Sequence, residues 1–269
     1  MKKSAQKARI RTFIIANWKM NPATHVDAKK LATKSKSLGK GLKKTTLVAC
    51  PPFPFLSDVV APHTKGYAYG AQDVSLHASG SHTGDVAASQ IVSLKASYVI
   101  VGHSERRAKG ESDVEVATKV RVALSVGLTP IVCVGERERD DEARYLLTLR
   151  EQIHASLEGV SPRDFGKIII AYEPVWAIGG DTANTPDDTV ETILFIRKTL
   201  MELTSEKTAL SIPMLYGGSV DDTNAAGFLA KDEINGLLIG RASRDPKKLA
   251  RIIEASEKRN SQIKKTKIR

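Results

Sequence analysis

A lysine, a histidine and a glutamate each stand just after a short apolar run, and each side chain is suited to moving protons or steadying charge. Thr12–Ala16 leads into Asn17-Trp18-Lys19, Tyr98–Val101 into Gly102-His103-Ser104-Glu105-Arg106, and Lys167–Ala171 into Tyr172-Glu173-Pro174-Val175-Trp176. Two further runs end in glycine turns, Gly217-Gly218-Ser219 after Ile212–Tyr216 and Gly240-Arg241-Ala242-Ser243 after Gly236–Ile239. A carboxylate can take a proton from carbon beside a carbonyl, a neutral imidazole can donate a hydrogen bond to the carbonyl oxygen, and a lysine can stabilise the resulting enediolate. The set suits isomerisation of a hydroxy-carbonyl compound. Backbone N–H groups in the glycine turns can cradle a phosphate. Taken singly, Lys19 reads as a solvent lysine, His103 as a hydrogen-bonded structural histidine and Glu173 as an ion-pair partner. Their joint placement at strand ends is what favours chemistry.

Pro174-Val175-Trp176-Ala177-Ile178-Gly179-Gly180 reads as a lid: a rigid start and a small, glycine-containing tip can close over a ligand and exclude water. Trp176 and Ile178 would be costly on a plain surface loop that covers nothing. Competing motifs fail. Gly102-His103-Ser104-Glu105-Arg106 lacks the closing glycine of a hydrolase nucleophile elbow, and the chain has no phosphate-loop lysine motif, no dinucleotide fingerprint after its first apolar run and no H-E-x-x-H. His77 and His82 have no ligand carboxylates or cysteines at metal-binding spacing, so no metal site is expected there.

These residues need elements to hold them. Eight apolar runs recur: the five above with Thr46–Cys50, Tyr67–Ala71 and Thr129–Val134. Near-continuous apolar strands imply burial on both faces, the mark of a parallel sheet flanked by helices. Between them, Ser112-Asp113-Val114-Glu115 fits a capping box followed by a Val116, Val120, Leu124 stripe, and Thr185-Pro186 starts a helix whose inner face is expected to hold Val190, Ile193, Leu194 and Arg197. Leu146, Leu149, Ile153 and Leu157 form a third stripe, stopped by Gly159. Eight such units without an interior linker argue for a closed (β/α)8 barrel, with a doubly wound open sheet as the alternative; both place active sites at the carboxyl ends of the strands.

The 269 residues suit one such domain, and 41% hydrophobic with 26% charged residues excludes disorder and coiled coil. No stretch approaches the ~18 apolar residues of a membrane helix, so a soluble chain is expected. The net charge of +11 sits at the ends: residues 1–11 carry five cations and residues 258–269 six, with no acid in either. Three segments follow: a basic extension over 1–11, a catalytic barrel over 12–257 and a basic tail over 258–269. Lys29 to Lys44 holds seven lysines without interleaved aromatics, which reads as a solvated helix face. Nucleic acid is therefore not the expected partner, although the tails lend weak, salt-sensitive attraction to polyanions. Cys50 and Cys133 each close an apolar run and read as buried reduced thiols, which fits a cytoplasmic enzyme.

Asn17-Trp18-Lys19-Met20-Asn21, Gly102-His103-Ser104-Glu105-Arg106-Arg107, Ala171 through Gly179 and Tyr216-Gly217-Gly218-Ser219 together closely resemble the triosephosphate isomerase family, over about residues 10 to 255. The resemblance implies a single (β/α)8 TIM barrel that interconverts dihydroxyacetone phosphate and D-glyceraldehyde 3-phosphate without metal or organic cofactor. It implies Glu173 as the base, His103 as the neutral electrophile, Lys19 as electrostatic stabiliser, Asn17 as a partner for substrate oxygens and Glu105 as support for Lys19 or for the proton relay. Gly179, Ser219 and Gly240 would bind phosphate through backbone N–H groups. It further implies a homodimer in which Thr83, on the loop from Ala71 to Asp85, meets the neighbouring subunit. This chain departs from the family's usual pattern at three places. Asp85 stands for a glutamate, Asp181 puts a negative charge in the lid and is expected to face solvent, and Arg241 replaces a glycine and can either add a guanidinium contact to phosphate or reshape the pocket by its bulk. Related isomerases of four-carbon ketose phosphates keep the same acid-base set and are the alternative.

Overall fold

The computed structural model describes residues 11–59, 64–178 and 184–266. Residues 1–10 of the basic extension, together with Gly179, Gly180 and Asp181 of the expected lid, lie outside the described residues. Eight parallel strands close in sequence order: β1 (Thr12–Asn17), β2 (Thr45–Cys50), β3 (Tyr67–Ala71), β4 (Tyr98–Val101), β5 (Thr129–Val134), β6 (Ile169–Tyr172), β7 (Met214–Tyr216) and β8 (Gly236–Ile239). β8 pairs back onto β1, with Ile15 opposite Leu238. The open-sheet alternative is thereby excluded. Among the described residues ten α-helices lie between and after the strands: α1 (His25–Gly39), α2 (Phe53–Val59), α3 (Ala88–Ser93), α4 (Ser104–Arg107), α5 (Asp113–Ser125), α6 (Tyr145–Ser156), α7 (Pro186–Leu203), α8 (Glu206–Ser211), α9 (Ala225–Leu229) and α10 (Pro246–Thr266).

Alternation along each strand divides the core into two layers. Ile15, Val48, Ile100, Ile131, Ile169, Leu215 and Leu238 fill the barrel interior, and both thiols, Cys50 and Cys133, sit free among them. Ile14, Leu47, Val99, Val132, Ile170 and Leu237 point outward, against helix residues such as Leu31, Ile91, Val120, Ile153, Ile196 and Ile252. Helix starts follow their caps. Ser112 Oγ accepts from Glu115 N while the Glu115 carboxylate accepts from Ser112 N, and Thr185 Oγ1 accepts from Asp188 N with Pro186 opening α7.

Four expectations shift. β6 begins at Ile169, two residues later than its apolar run, because Phe165–Lys167 forms a 3-10 turn. β7 begins at Met214, after Pro213, which has no N–H to donate. Leu194 is exposed, because the buried face of α7 runs through Thr189, Ile193, Ile196 and Leu200, and Leu194 lies about 100° round the helix from Ile193. The boundary expected at 258 falls inside α10. Arg259 is buried, and its guanidinium donates to Ile234 O (2.6 Å) and Lys231 O (2.8 Å), so it is a bracket between α10 and the start of β8.

The closing seam has no spare room: a Cβ on Gly236 would lie 1.9 Å from Phe13 O. Gly236→Ala must therefore prise β8 from β1, and the expected loss is about 4 kcal/mol or more, read as a fall in the urea midpoint. An unchanged midpoint would show that the seam tolerates separation.

Candidate active site

The strand ends converge on one cavity of about 700 Å³ lined by Asn17, Lys19, His103, Glu173, Ser219 and Gly240, with Arg241 at its edge. Each side chain is aimed by its backbone. Lys19 sits two residues beyond β1 at φ +53°, a left-handed conformation that a non-glycine residue adopts at a cost. Three contacts hold it there. Its N–H donates to Asn17 Oδ1 (3.0 Å), its carbonyl accepts from Gln72 Nε2 (2.8 Å), and the same amide reaches Cys50 O (2.9 Å). The ammonium lies 2.5 Å from Glu105 Oε1. Burial opposes the Glu105 charge, but the hydrogen bond and charge of Lys19 outweigh it and hold the carboxyl below its usual range.

His103 is buried at the N-terminus of α4. Its Nδ1 accepts from Glu105 N (3.1 Å), so the ring is neutral with its proton on Nε2. Nε2 lies 3.3 Å from Glu173 Oε1, and Glu173 Oε2 accepts from Ser104 N (3.0 Å). Glu173 itself is buried to all but 2% of its surface, directly above Cys133, whose thiol is pushed up by burial and by the neighbouring carboxylate. The close approach of β5 and β6 needs Gly135, where a Cβ would lie 1.8 Å from Glu173 O.

Both glycine turns serve these side chains as well as any anion. A Cβ on Gly217 would lie 2.9 Å from Glu173 Cγ, one on Gly218 2.2 Å from the Tyr216 hydroxyl, and one on Gly240 3.2 Å from Lys19 Cε. Ser219 Oγ donates to Ala177 O (2.7 Å), tying the turn after β7 to the lid stem. Arg241 is exposed, opens the 3-10 turn Arg241–Arg244 and has no carboxylate partner among the described residues. Two acids at the cavity edge are committed elsewhere: Asp245 accepts from Lys247 N and Lys248 N at the start of α10, and Asp221 accepts from Thr223. Those hydrogen bonds hold both carboxyls below their usual range.

The stem Pro174–Ile178 forms a 3-10 turn over Val175–Ala177. Its anchor went unnoticed in the sequence. Glu136 Oε1 accepts from Trp176 Nε1 (2.8 Å), the Tyr172 hydroxyl (2.8 Å) and Arg139 Nε (3.1 Å), and the Arg139 guanidinium lies 5.0 Å from the centres of both the Trp176 and Tyr145 rings. The available signal was position: Gly135-Glu136 follows β5 as the other polar pairs follow their strands. Thr83 is not brought to this cavity. It is exposed on the loop after β3, which is braced by a Ser75 Oγ to Asp85 Oδ2 hydrogen bond (2.6 Å) and by His77 and His82 stacked 3.5 Å apart.

Comparison with known proteins places this geometry. A family model described as triosephosphate isomerase matches residues 12–256. The chain is 42% identical over 249 residues to the triosephosphate isomerase of Halorhodospira halophila, covering 91% of this chain and 98% of that one. It is 41% identical over 245 residues to that of Mycobacterium avium (88% and 94%) and 42% identical over 240 residues to that of Mycobacterium tuberculosis (87% and 92%).

Replacing Glu136 with alanine leaves the Tyr172 hydroxyl and the Arg139 guanidinium without their shared acceptor. Glu136→Ala is expected to cost about 3 kcal/mol in urea denaturation and to shift Trp176 emission to the red. Unchanged emission from folded protein would show that Glu136 does not anchor the stem.

Proposed function

The chain belongs to the triosephosphate isomerase family, and on that premise we propose that it interconverts dihydroxyacetone phosphate and D-glyceraldehyde 3-phosphate through an enediolate. The observation that carries the proposal is the facing pair of Glu173 Oε1 and His103 Nε2, 3.3 Å apart in a cavity that also holds Lys19. Glu173, as carboxylate, takes the proton from the carbon bearing the hydroxyl, and the C–H electron pair forms the enediolate double bond. His103 donates its Nε2 proton in a hydrogen bond to the oxygen on which charge develops, and the Lys19 ammonium stabilises that charge. Glu173 then returns the proton to the adjacent carbon, while His103 passes its Nε2 proton to the former carbonyl oxygen and takes up the proton of the neighbouring hydroxyl, so that base and imidazole both end as they began. Asn17 holds Lys19 through its backbone and borders the substrate oxygens, while Glu105 orients the ammonium.

The phosphate is assigned to the backbone N–H groups of Gly179, Ser219 and Gly240 and to the Arg241 guanidinium. Arg241, exposed at this edge with no carboxylate partner among the described residues, supplies the positive charge that a dianion would meet there. The lid of Pro174–Gly180 closes the cavity against water, which protects the enediolate from loss of phosphate. We assign the loop carrying Thr83 to a homodimer contact, supported by its bracing through Ser75 and Asp85. A cytoplasmic setting fits the two buried free thiols.

Glu173→Gln is expected to keep the fold by circular dichroism and lower kcat about 10³-fold. Retained turnover would remove Glu173 from the role of base. Arg241→Gly is expected to raise KM for glyceraldehyde 3-phosphate about ten-fold with little change in kcat, the equivalent of roughly 1.4 kcal/mol of charge-assisted contact. A KM that does not move would confine phosphate binding to the backbone. Higher kcat/KM on a four-carbon ketose phosphate than on the triose phosphate would overturn the substrate.

A further inference from the structure

Little regular structure holds His103 in place: β4 before it has four residues, and α4 after it is a single turn opening at Ser104. The ladder between β4 and β5 stops at the pair Val101 and Val132, two residues before His103. There Gly102 takes φ +67°, a left-handed turn that glycine adopts freely, and carries the chain out of the sheet. Gly102 and Cys133 stand where the next rung would fall. The guanidinium of Arg107 spans them instead: Nε donates to Gly102 O (2.7 Å) and Nη2 to Cys133 O (3.2 Å). The absent side chain at Gly102 makes the room, since a Cβ there would lie 2.9 Å from Arg107 Nη2.

Arg107 holds His103 from both sides. Its side chain fixes the carbonyl of the peptide before His103, and its own N–H donates to His103 O (3.1 Å), the carbonyl of the peptide after it. With both peptide planes fixed, so is the direction in which the imidazole leaves the main chain. The other arm of the fork bears on Glu173. Cys133 lies beneath Glu173, and the carbonyl of the next β5 residue, Val134, accepts from Glu173 N (2.8 Å). The guanidinium is itself anchored: Nη1 pairs with the Asp113 carboxylate at the start of α5, and Nη2 also donates to Ser156 Oγ (3.0 Å) at the end of α6, which donates to Asp113 Oδ1 (2.9 Å). Arg107 lines a second cavity of about 660 Å³, beside α5 and α6, that shares no lining residue with the substrate cavity among the described residues.

We propose, on the isomerase reading of the site, that Arg107 is a positioning residue for the acid–base pair: it stands in for the rung that β4 and β5 lack and so sets the 3.3 Å approach of His103 Nε2 to Glu173 Oε1. Planarity is what suits it to the task. A guanidinium offers its N–H groups in a fixed fork, so one group fastens two carbonyls at a set separation, whereas a lysine ammonium is a point charge on a flexible stem. The ion pair with Asp113 and the bracket on the two carbonyls are separable. The first joins α4 to α5 and bears on stability; the second joins the strand ends and bears on turnover, because misplacing a reacting group by about 1 Å costs about 10²-fold in rate. Arg107 stands outside the substrate cavity, so substrate binding is not its business.

The test is steady-state isomerisation of glyceraldehyde 3-phosphate by full-length variants beside the wild type, with a urea midpoint for each. Arg107→Lys keeps a cation beside Asp113, and with it the fold, and is expected to lower kcat about thirty-fold or more while KM stays within about two-fold. In Arg107→Ala the vacated bracket is reached through the second cavity, so millimolar guanidinium chloride is expected to raise kcat about ten-fold and sodium chloride at equal concentration to leave it unchanged. Asp113→Ala removes the ion pair but leaves both carbonyl contacts; it is expected to lower the urea midpoint and keep kcat within about three-fold of the wild type. The proposal fails if Arg107→Lys turns over like the wild type, if KM rises while kcat holds, if guanidinium restores no more than sodium chloride, or if Asp113→Ala loses kcat as deeply as Arg107→Lys. Wild-type turnover in the same assay tests the isomerase reading itself, and the ratio of variant to wild type tests Arg107.

Discussion

Closure of the sheet on itself is the constraint from which the rest follows. An open parallel sheet scatters its strand ends along a line, whereas pairing β8 with β1 turns that line into a ring. Residues as distant in sequence as Asn17, His103, Glu173 and Gly240 then face one cavity because each ends its strand or follows it within two residues. The ring is tight. Backbone passes within a van der Waals radius of where a Cβ would stand at Gly236 against Phe13 and at Gly135 against Glu173, so glycine at those positions sets how closely neighbouring strands can lie.

That tightness is converted into chemistry by a few backbone decisions. Lys19 leaves β1 in a left-handed turn that the Asn17 and Gln72 side chains brace. His103 caps α4 through Nδ1, which leaves Nε2 as the donor facing Glu173. The same short helix lends the Ser104 N–H to the Glu173 carboxylate, so one turn of chain sets the orientation of both partners. The facing geometry of His103 and Glu173 is therefore a property of main-chain conformation, and the side chains inherit it.

Legibility in the sequence tracked the range of the interactions. Strands, caps and the residues just past each strand are local features, and all eight strands, the Ser112 capping box and the converging Lys19, His103 and Glu173 could be read in order along the chain. What escaped was set by contacts across the fold. Glu136 looks like one more loop acid until Tyr172, Trp176 and Arg139 all turn toward it. Leu194 fits an apolar face until α7 is rotated by its burial of Thr189, Ile196 and Leu200. Gly217 and Gly218 suggested an anion cradle, while the space they leave is also taken up by Glu173 and Tyr216.

Charge follows the same logic of place. A strongly basic chain acting on a dianionic substrate invites the idea that its cations serve the substrate, but few of them stand at the cavity. There, Lys19 is matched by Glu105, and Lys248 by Asp222 beside it. Arg241 is the cation of the cavity edge with no carboxylate partner among the described residues, which leaves its guanidinium open to an anion. Were the surplus charge spread round the cavity, it would favour every anion alike and oppose release of product. Carried by residues 1–11 and 258–269 of the sequence, it leaves residues 12–257 with no net charge and a mouth whose cations are largely matched by acids.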